Sequence, residues 1–316
     1  MDPFFALLGI VSLFAALLLP GFVLGKVGAV NEESMLSFSN ILMCVAMPFL
    51  VFLKLLEIDI RSIGACEIII ASLLPIGMVF ILLLICKLFF KGGKVSRRTA
   101  TFCSIFSNCG FLGIPLATAM WPENPVIVLY ISIFNVVSTF LLLTLGAYIL
   151  SGDKKNISVT KNLISPIFFS IVLGVIASFC NLAEIVPYIK TYSVTLAQLT
   201  TPLAMITLGY ELSKMNLLKM WTNAYVYISS LIKLVISPLI TLAILSFIKY
   251  LLKIRIGDCL SYAMLIATAV STAASAPSMA QKYGADSKQA ANITLANTLL
   301  CIVTLPALYM LFTFVF

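Results

Sequence analysis

The residues best suited to chemistry gather in two apolar stretches. One runs from Thr101 to Pro115 and holds Ser107, Asn108, Gly110, Gly113 and Pro115; the other runs from Ser271 to Ser278 and holds Ser275, Pro277 and Ser278. Glycine weakens a helix interior by about 1 kcal/mol and proline by about 3 kcal/mol. The two glycines and the proline between Gly110 and Pro115 should therefore unwind the first stretch. The second has a proline without glycine, and a break is expected there too. Each proline suits the first residue of a new half-helix. The N-terminal end of a half-helix offers free N–H groups and partial positive charge, and can hold an anion without any fixed charge. Freed carbonyls of the preceding half-helix could instead hold a cation. For either stretch taken singly, a simple proline kink is the alternative.

Polar side chains accompany both stretches. Ser132, Asn135 and Thr139 share one helical face, and Thr294, Asn297 and Cys301 share another, at spacings of three and four. Contact with a ligand and hydrogen bonding between helices, worth about 0.6–2 kcal/mol, both remain open for each. Lys233 lies deep in an apolar run, where a lone cation costs several kcal/mol unless it is paired, hydrated or reaches back to the interface. The carboxylates Glu57, Glu67, Glu123, Glu184, Glu211 and Asp258 all fall near the ends of runs. A deep cation without a deep carboxylate suits an anionic ligand and argues against an Asp or Glu proton relay. The candidate binding set is thus Asn108, Gly110, Gly113, Pro115, Asn135, Thr139, Lys233, Ser275, Pro277, Ser278 and Asn297. Eight cysteines without a C-x-x-C and a complete lack of histidine exclude zinc and haem motifs and Ser–His catalysis. No nucleophile–base pair is visible, so no enzyme and no resident cofactor are expected.

Helices in lipid must position these residues. The 316-residue chain is 61% hydrophobic and 10% charged, with a mean hydropathy of +1.12. A soluble domain of this length needs a charged coat that this composition cannot supply. The apolar residues fall in runs of about 20, enough for a helix to cross roughly 30 Å of hydrocarbon. Each span must close its own backbone hydrogen bonds there, and the runs are too long and uniform for barrel strands. Ten spans are expected, at 4–25, 36–55, 67–90, 100–121, 126–150, 163–181, 192–212, 224–251, 259–283 and 289–315. The first has no basic segment before it and is read as a retained span. The net charge of +8 would suggest nucleic acid in a soluble protein, but here the basic residues sit in the connectors. Alternate connectors carry thirteen Lys and Arg against six, with Lys91, Lys94, Arg97 and Arg98 the densest group. The positive-inside rule then places both termini outside and the 151–160 connector in the cytoplasm.

The two halves repeat. Pro75 and Pro238 lie 163 residues apart, while Pro115 and Pro277, Asn135 and Asn297, and Ser132 and Thr294 each lie 162 apart. Pro48 and Pro202 lie 154 apart. Five spans per half is an odd number, so the second half enters the membrane from the opposite side. This is an inverted repeat, residues 1–150 against 161–316, the plan of many secondary transporters.

Asn108, Gly110, Phe111, Gly113 and Pro115 resemble the N-x-G-F-x-G-x-P signature of the auxin efflux carrier family of membrane transporters. Met47-Pro48, Ser165-Pro166, Thr201 to Gly209 around Pro202, and Ala276-Pro277 followed by Tyr283-Gly284 add to the likeness, which covers the chain in order. The family usually has Asn where this chain has Ser165. The resemblance implies an all-α integral membrane protein of ten helices in two inverted five-helix repeats, with spans four and nine broken and crossing. It implies a scaffold domain of spans 1, 2, 6 and 7 and a transport domain of spans 3–5 and 8–10, with the substrate at the crossover beside Asn108, Gly110, Gly113, Pro115 and Pro277. Plant members carry indole acetate. Without a long central loop, this chain resembles the short prokaryotic members, similar to carriers of malate or malonate, in a bacterial plasma membrane. A homodimer through the scaffold is implied. Distant likeness to sodium–bile acid symporters leaves sodium coupling open.

Overall fold

The computed structural model describes residues 3–58, 63–153, 166–214, 221 and 223–315. Its helices are α1 (Pro3–Val27), α2 (Glu32–Leu56), α3 (Ala65–Phe89), α4 (Lys94–Ile105), α5 (Cys109–Met120) and α6 (Pro125–Ser151). They continue with α7 (Pro166–Phe179), α8 (Pro187–Ala197), α9 (Thr200–Ser213), α10 (Ala224–Leu251), α11 (Asp258–Ala269), α12 (Ala276–Lys282) and α13 (Ser287–Val315). Each expected run coincides with one helix or two. No β-strand occurs among the described residues. α2, α3, α6, α10 and α13 are long and apolar enough to cross a membrane, and α5, α7, α11 and residues Ser12–Val27 of α1 are shorter apolar helices. The chain is a multi-pass membrane protein. Ser165 and most of the 151–160 connector, with Lys154, Lys155 and Lys161, lie outside the described residues.

The lipid-facing surface is apolar, and the apolar core encloses a set of buried polar groups. On α3, Ile69, Leu73, Phe80 and Leu84 are all more than half exposed and form one stripe, as lipid contact requires. Buried instead are Asn108, Ser132, Asn135, Lys233, Ser271, Thr272, Thr294 and Asn297. In hydrocarbon a polar side chain is stable only where other protein groups answer it.

Three interior prolines are accommodated in one way. A proline lacks a donor, and its ring clashes with the carbonyl four residues back. Ahead of Pro48, Pro115 and Pro238 the helix widens into a single π turn, at Leu42–Ala46, Cys109–Gly113 and Ile232–Ile236. In each case the residue before the proline donates five residues back: Met47 to Leu42, Ile114 to Cys109 and Ser237 to Ile232. Such bulges frequently mark functional positions, and the third carries Lys233.

Helices α1 and α9 pack backbone to backbone. A Cβ at Gly209 would stand 2.0 Å from the carbonyl oxygen of Leu18, and one at Gly21 would stand 2.0 Å from that of Ile206. Only glycine permits this approach. Gly174 of α7 similarly receives Leu55 of α2. The seventh run differs from expectation. Its helix starts at Pro187, not at residue 192, and turns at Gln198 and Leu199 before α9. Pro187 at the first helical position fixes that earlier start. At the far end of α5, Trp121 stacks on Tyr262 at 5.4 Å and lies 6.0 Å from Tyr309, an aromatic group of the kind found at membrane–water boundaries.

Candidate functional site

The fourth and ninth runs are both interrupted, and the interruptions meet. Residues 106–108 separate α4 from α5, and residues 270–275 separate α11 from α12. Ser107 and Thr272 form an isolated antiparallel bridge. Asn108 N–H donates to the Ser271 carbonyl at 2.8 Å, and Ala273 N–H donates to the Phe106 carbonyl at 3.0 Å. Each extended segment thereby satisfies backbone groups that the other has freed, which is what irregular chain inside a membrane requires.

The sequence reading placed the first break on the glycines and proline, and the structure corrects this. α5 begins at Cys109, six residues before Pro115, and Gly110 and Gly113 lie within its π turn. Pro115 is therefore one turn inside the half-helix. The chain leaves the helix where two extended segments can pair, a tertiary condition that local propensity does not encode. Pro277 does lie in the first turn of α12. That helix has only seven residues, so α5 supplies the stronger dipole.

Around the bridge the buried polar groups are ordered by their partners. Lys233 is 0% exposed. Its ammonium donates to Ser107 Oγ and, at 2.9 Å, to the carbonyl of Thr268. It has no ion pair among the described residues. Asn297 Nδ2 donates to Thr272 Oγ1 at 2.7 Å, and Thr272 Oγ1 donates to the Cys103 carbonyl at 2.7 Å. Asn135 rests against Gly110, its amide atoms 3.6 and 3.7 Å from where a Cβ would be. Asn108 is 3% exposed, and its Nδ2 has no acceptor among the described residues. Asn297 Oδ1, Ser271 Oγ and Thr294 Oγ1 likewise have no partner there.

Of the sequence candidates, the structure brings Asn108, Gly110, Asn135, Lys233 and Asn297 to the crossing. Gly113 lies one turn along α5, its Cβ position 3.6 Å from Ile266. Thr139 and Pro277 are half-buried, while Ser275 and Ser278 are exposed and do not join the buried cluster. They flank Pro277 on the outer side of a short helix, and sequence depth alone could not show which way they turn. Three contributors lie outside the candidate binding set: Ser107, Thr272 and the Thr268 carbonyl. Ser107 precedes Asn108 and was visible as a polar residue at the break, whereas a backbone carbonyl leaves no mark in a sequence.

A multi-pass helical bundle with two interrupted helices meeting around buried, partly unanswered polar groups defines the class: a membrane transporter. The description "Membrane transport protein" matches residues 5–309, so the chain belongs to this family, the auxin efflux carrier family of membrane transporters. None of the curated proteins compared matches the chain.

Proposed function

We propose that the protein is a secondary carrier of a small organic anion, a mono- or dicarboxylate, bound where the interrupted helices cross. One observation carries the reading. Asn108 Nδ2 is a buried donor without an acceptor among the described residues, at the N-terminus of α5, and the neighbouring Ser107 accepts from the Lys233 ammonium. An unanswered donor at the positive end of a half-helix favours a negative ligand. Asn108 is assigned the carboxylate contact and Asn135 a supporting one across Gly110. Gly113 and Pro115 shape α5, while Pro277 starts α12.

The reading includes ten spans in two inverted halves, 1–150 and 161–316, with both termini outside and a bacterial plasma membrane as the location. The matched pairs Asn135/Asn297 and Pro115/Pro277 support it. α1, α2 and α7–α9 form the scaffold, held by the glycine contacts of α1 with α9 and of α7 with α2. α3–α6 and α10–α13 form the moving part, tied together by the Ser107–Thr272 bridge. Alternating access follows when one part rocks against the other. The exposed face of α7, with Phe168, Phe169 and Leu173, is assigned to a homodimer contact.

The test is a melting-temperature screen of purified protein against small carboxylates. Binding to the folded state raises the transition by mass action. An active carboxylate should stabilise the wild type and leave Asn108→Ala unchanged, and Asn108→Ala should insert normally but lose uptake in proteoliposomes. Equal stabilisation of both proteins removes Asn108 from the site. Sodium-coupled organic anion symport is the second reading, favoured by the unanswered oxygens of Ser271, Thr294 and Asn297.

A further inference from the structure

The last four carbonyls of an α-helix have no partner within it, and they carry its partial negative charge. At the C-terminus of α11 all four are answered, three of them by side chains from three other helices. The Ile266 carbonyl accepts from Val270 N–H at 3.2 Å. The Ala267 carbonyl accepts from Cys109 Sγ at 3.1 Å, that of Thr268 from Lys233 Nζ at 2.9 Å, and that of Ala269 from Cys301 Sγ at 3.6 Å. The half-helix ends of broken transporter helices are where a dissociable coupling cation is ordinarily held. Here a covalently attached cation stands in that position, fully buried, without an ion pair among the described residues, and held also by Ser107 of the opposite break.

We propose that Lys233 is a built-in replacement for a coupling cation: its ammonium occupies the negative end of α11 and locks it to the α4–α5 break, so the carrier works without taking up sodium there. The inference rests on reading the crossover as the transport site. It separates the two modes of carriage left open above and assigns Lys233 to the cation role, with the anion contact left to Asn108. The π turn that carries Lys233 gives the idea a mechanical sense. It widens α10 at the point where the side chain must reach across to α11. Because the cation cannot leave, α10, α11 and the α4–α5 break move as one body whether or not sodium is present.

The experiment measures the melting temperature of the purified full chain in NaCl, KCl and choline chloride at constant ionic strength. The wild type should melt at the same temperature in all three. Lys233→Ala opens space for a free cation, so it should melt lower in choline. Sodium or ethylammonium should then raise its transition by at least about 2 °C in a dose-dependent way. Lys233→Met fills the space with a neutral chain, so it should melt low and respond to neither cation. Sodium-specific stabilisation of the wild type overturns the proposal, and so does a folded Lys233→Ala that ignores both cations. If Lys233→Ala does not fold, sodium uptake decides the matter. Wild-type proteoliposomes should accumulate no radioactive sodium with a transported carboxylate, and accumulation overturns the proposal. A carboxylate that stabilises the wild type but not Asn108→Ala upholds the anion site whichever way the sodium measurements fall.

Discussion

At the scale of single residues, the site is a set of polar groups whose value depends on what answers them. Thr272 ties α13 to α4. Its hydroxyl accepts from Asn297 and donates to the Cys103 carbonyl. Thr272→Val keeps the shape and removes both bonds, leaving the Asn297 amide and a buried carbonyl unanswered. Each such loss costs about 1–3 kcal/mol in water-soluble proteins, and the upper values for hydrogen bonds between membrane helices are near 2 kcal/mol. Thr272→Val should therefore lower the melting temperature clearly, whereas Ser278→Ala, at an exposed position, should not. Equal shifts would mean that the Thr272 bonds contribute nothing to the folded state. Lys233 behaves differently from Lys54, the other buried lysine among the described residues, which is neutralised by Glu57 at 2.9 Å. Arg98 has a structural task. It donates to the Ser151 carbonyl at 3.1 Å and caps the end of α6. The basic group around Lys91 thus anchors an element while it marks the cytoplasmic side in the proposed topology.

At the scale of elements, packing distance decides which glycines matter. The signature glycine Gly113 looks critical by motif, yet an added methyl there would make only ordinary contact, 3.6 Å from Ile266. Gly209 lies outside the signature break, but a methyl there would collide with the backbone of α1 at 2.0 Å. Backbone cannot yield as the tip of a flexible side chain can. Gly209→Ala should therefore destabilise the protein by more than Gly113→Ala, by about 1–3 kcal/mol on the scale of overpacked cores. Comparing thermal or detergent unfolding of the two variants checks the order. The reverse order would mean that α1 and α9 are not in contact. Pro115 likewise has a smaller part than its motif suggests. α5 has already begun at Cys109, so Pro115→Ala should leave the break between α4 and α5 in place.

At the scale of the whole molecule, the proposed scaffold and moving part meet across an apolar seam. Phe14, Ala15, Leu18, Met205 and Leu208 of α1 and α9 face Leu112, Leu116, Ile302 and Leu305 of α5 and α13 around a small cavity. Apolar contacts of this kind can slide at little cost, while the bond from Lys54 Nζ to the Pro122 carbonyl, at 3.3 Å, must break when the two parts separate at α2. A bifunctional thiol reagent joining Ala15→Cys to Ile302→Cys should abolish uptake, and reductive cleavage of a disulfide-containing linker should restore it. Full activity in the cross-linked state would show that the seam does not move. Topology is tested separately. Reporter fusions at the two termini and after Gly152 should place the termini together and the central connector on the opposite side, as the charge bias requires.

The sequence by itself determined the solvent, the helices and the neighbourhood of the site. Run length and composition demand lipid, proline and glycine placement marks the fourth and ninth runs, and the matched asparagines and the deep lysine pick out residues that the fold does bring to one crossing. Only the tertiary structure decided where each helix ends and what each polar group answers. The break before Cys109 exists because residues 106–108 pair with residues 271–273, and the partner of Lys233 is a carbonyl thirty-five residues away. Propensity acts over one or two turns, whereas these choices are made by hydrogen bonds between segments distant in the chain, with no water present to supply an alternative.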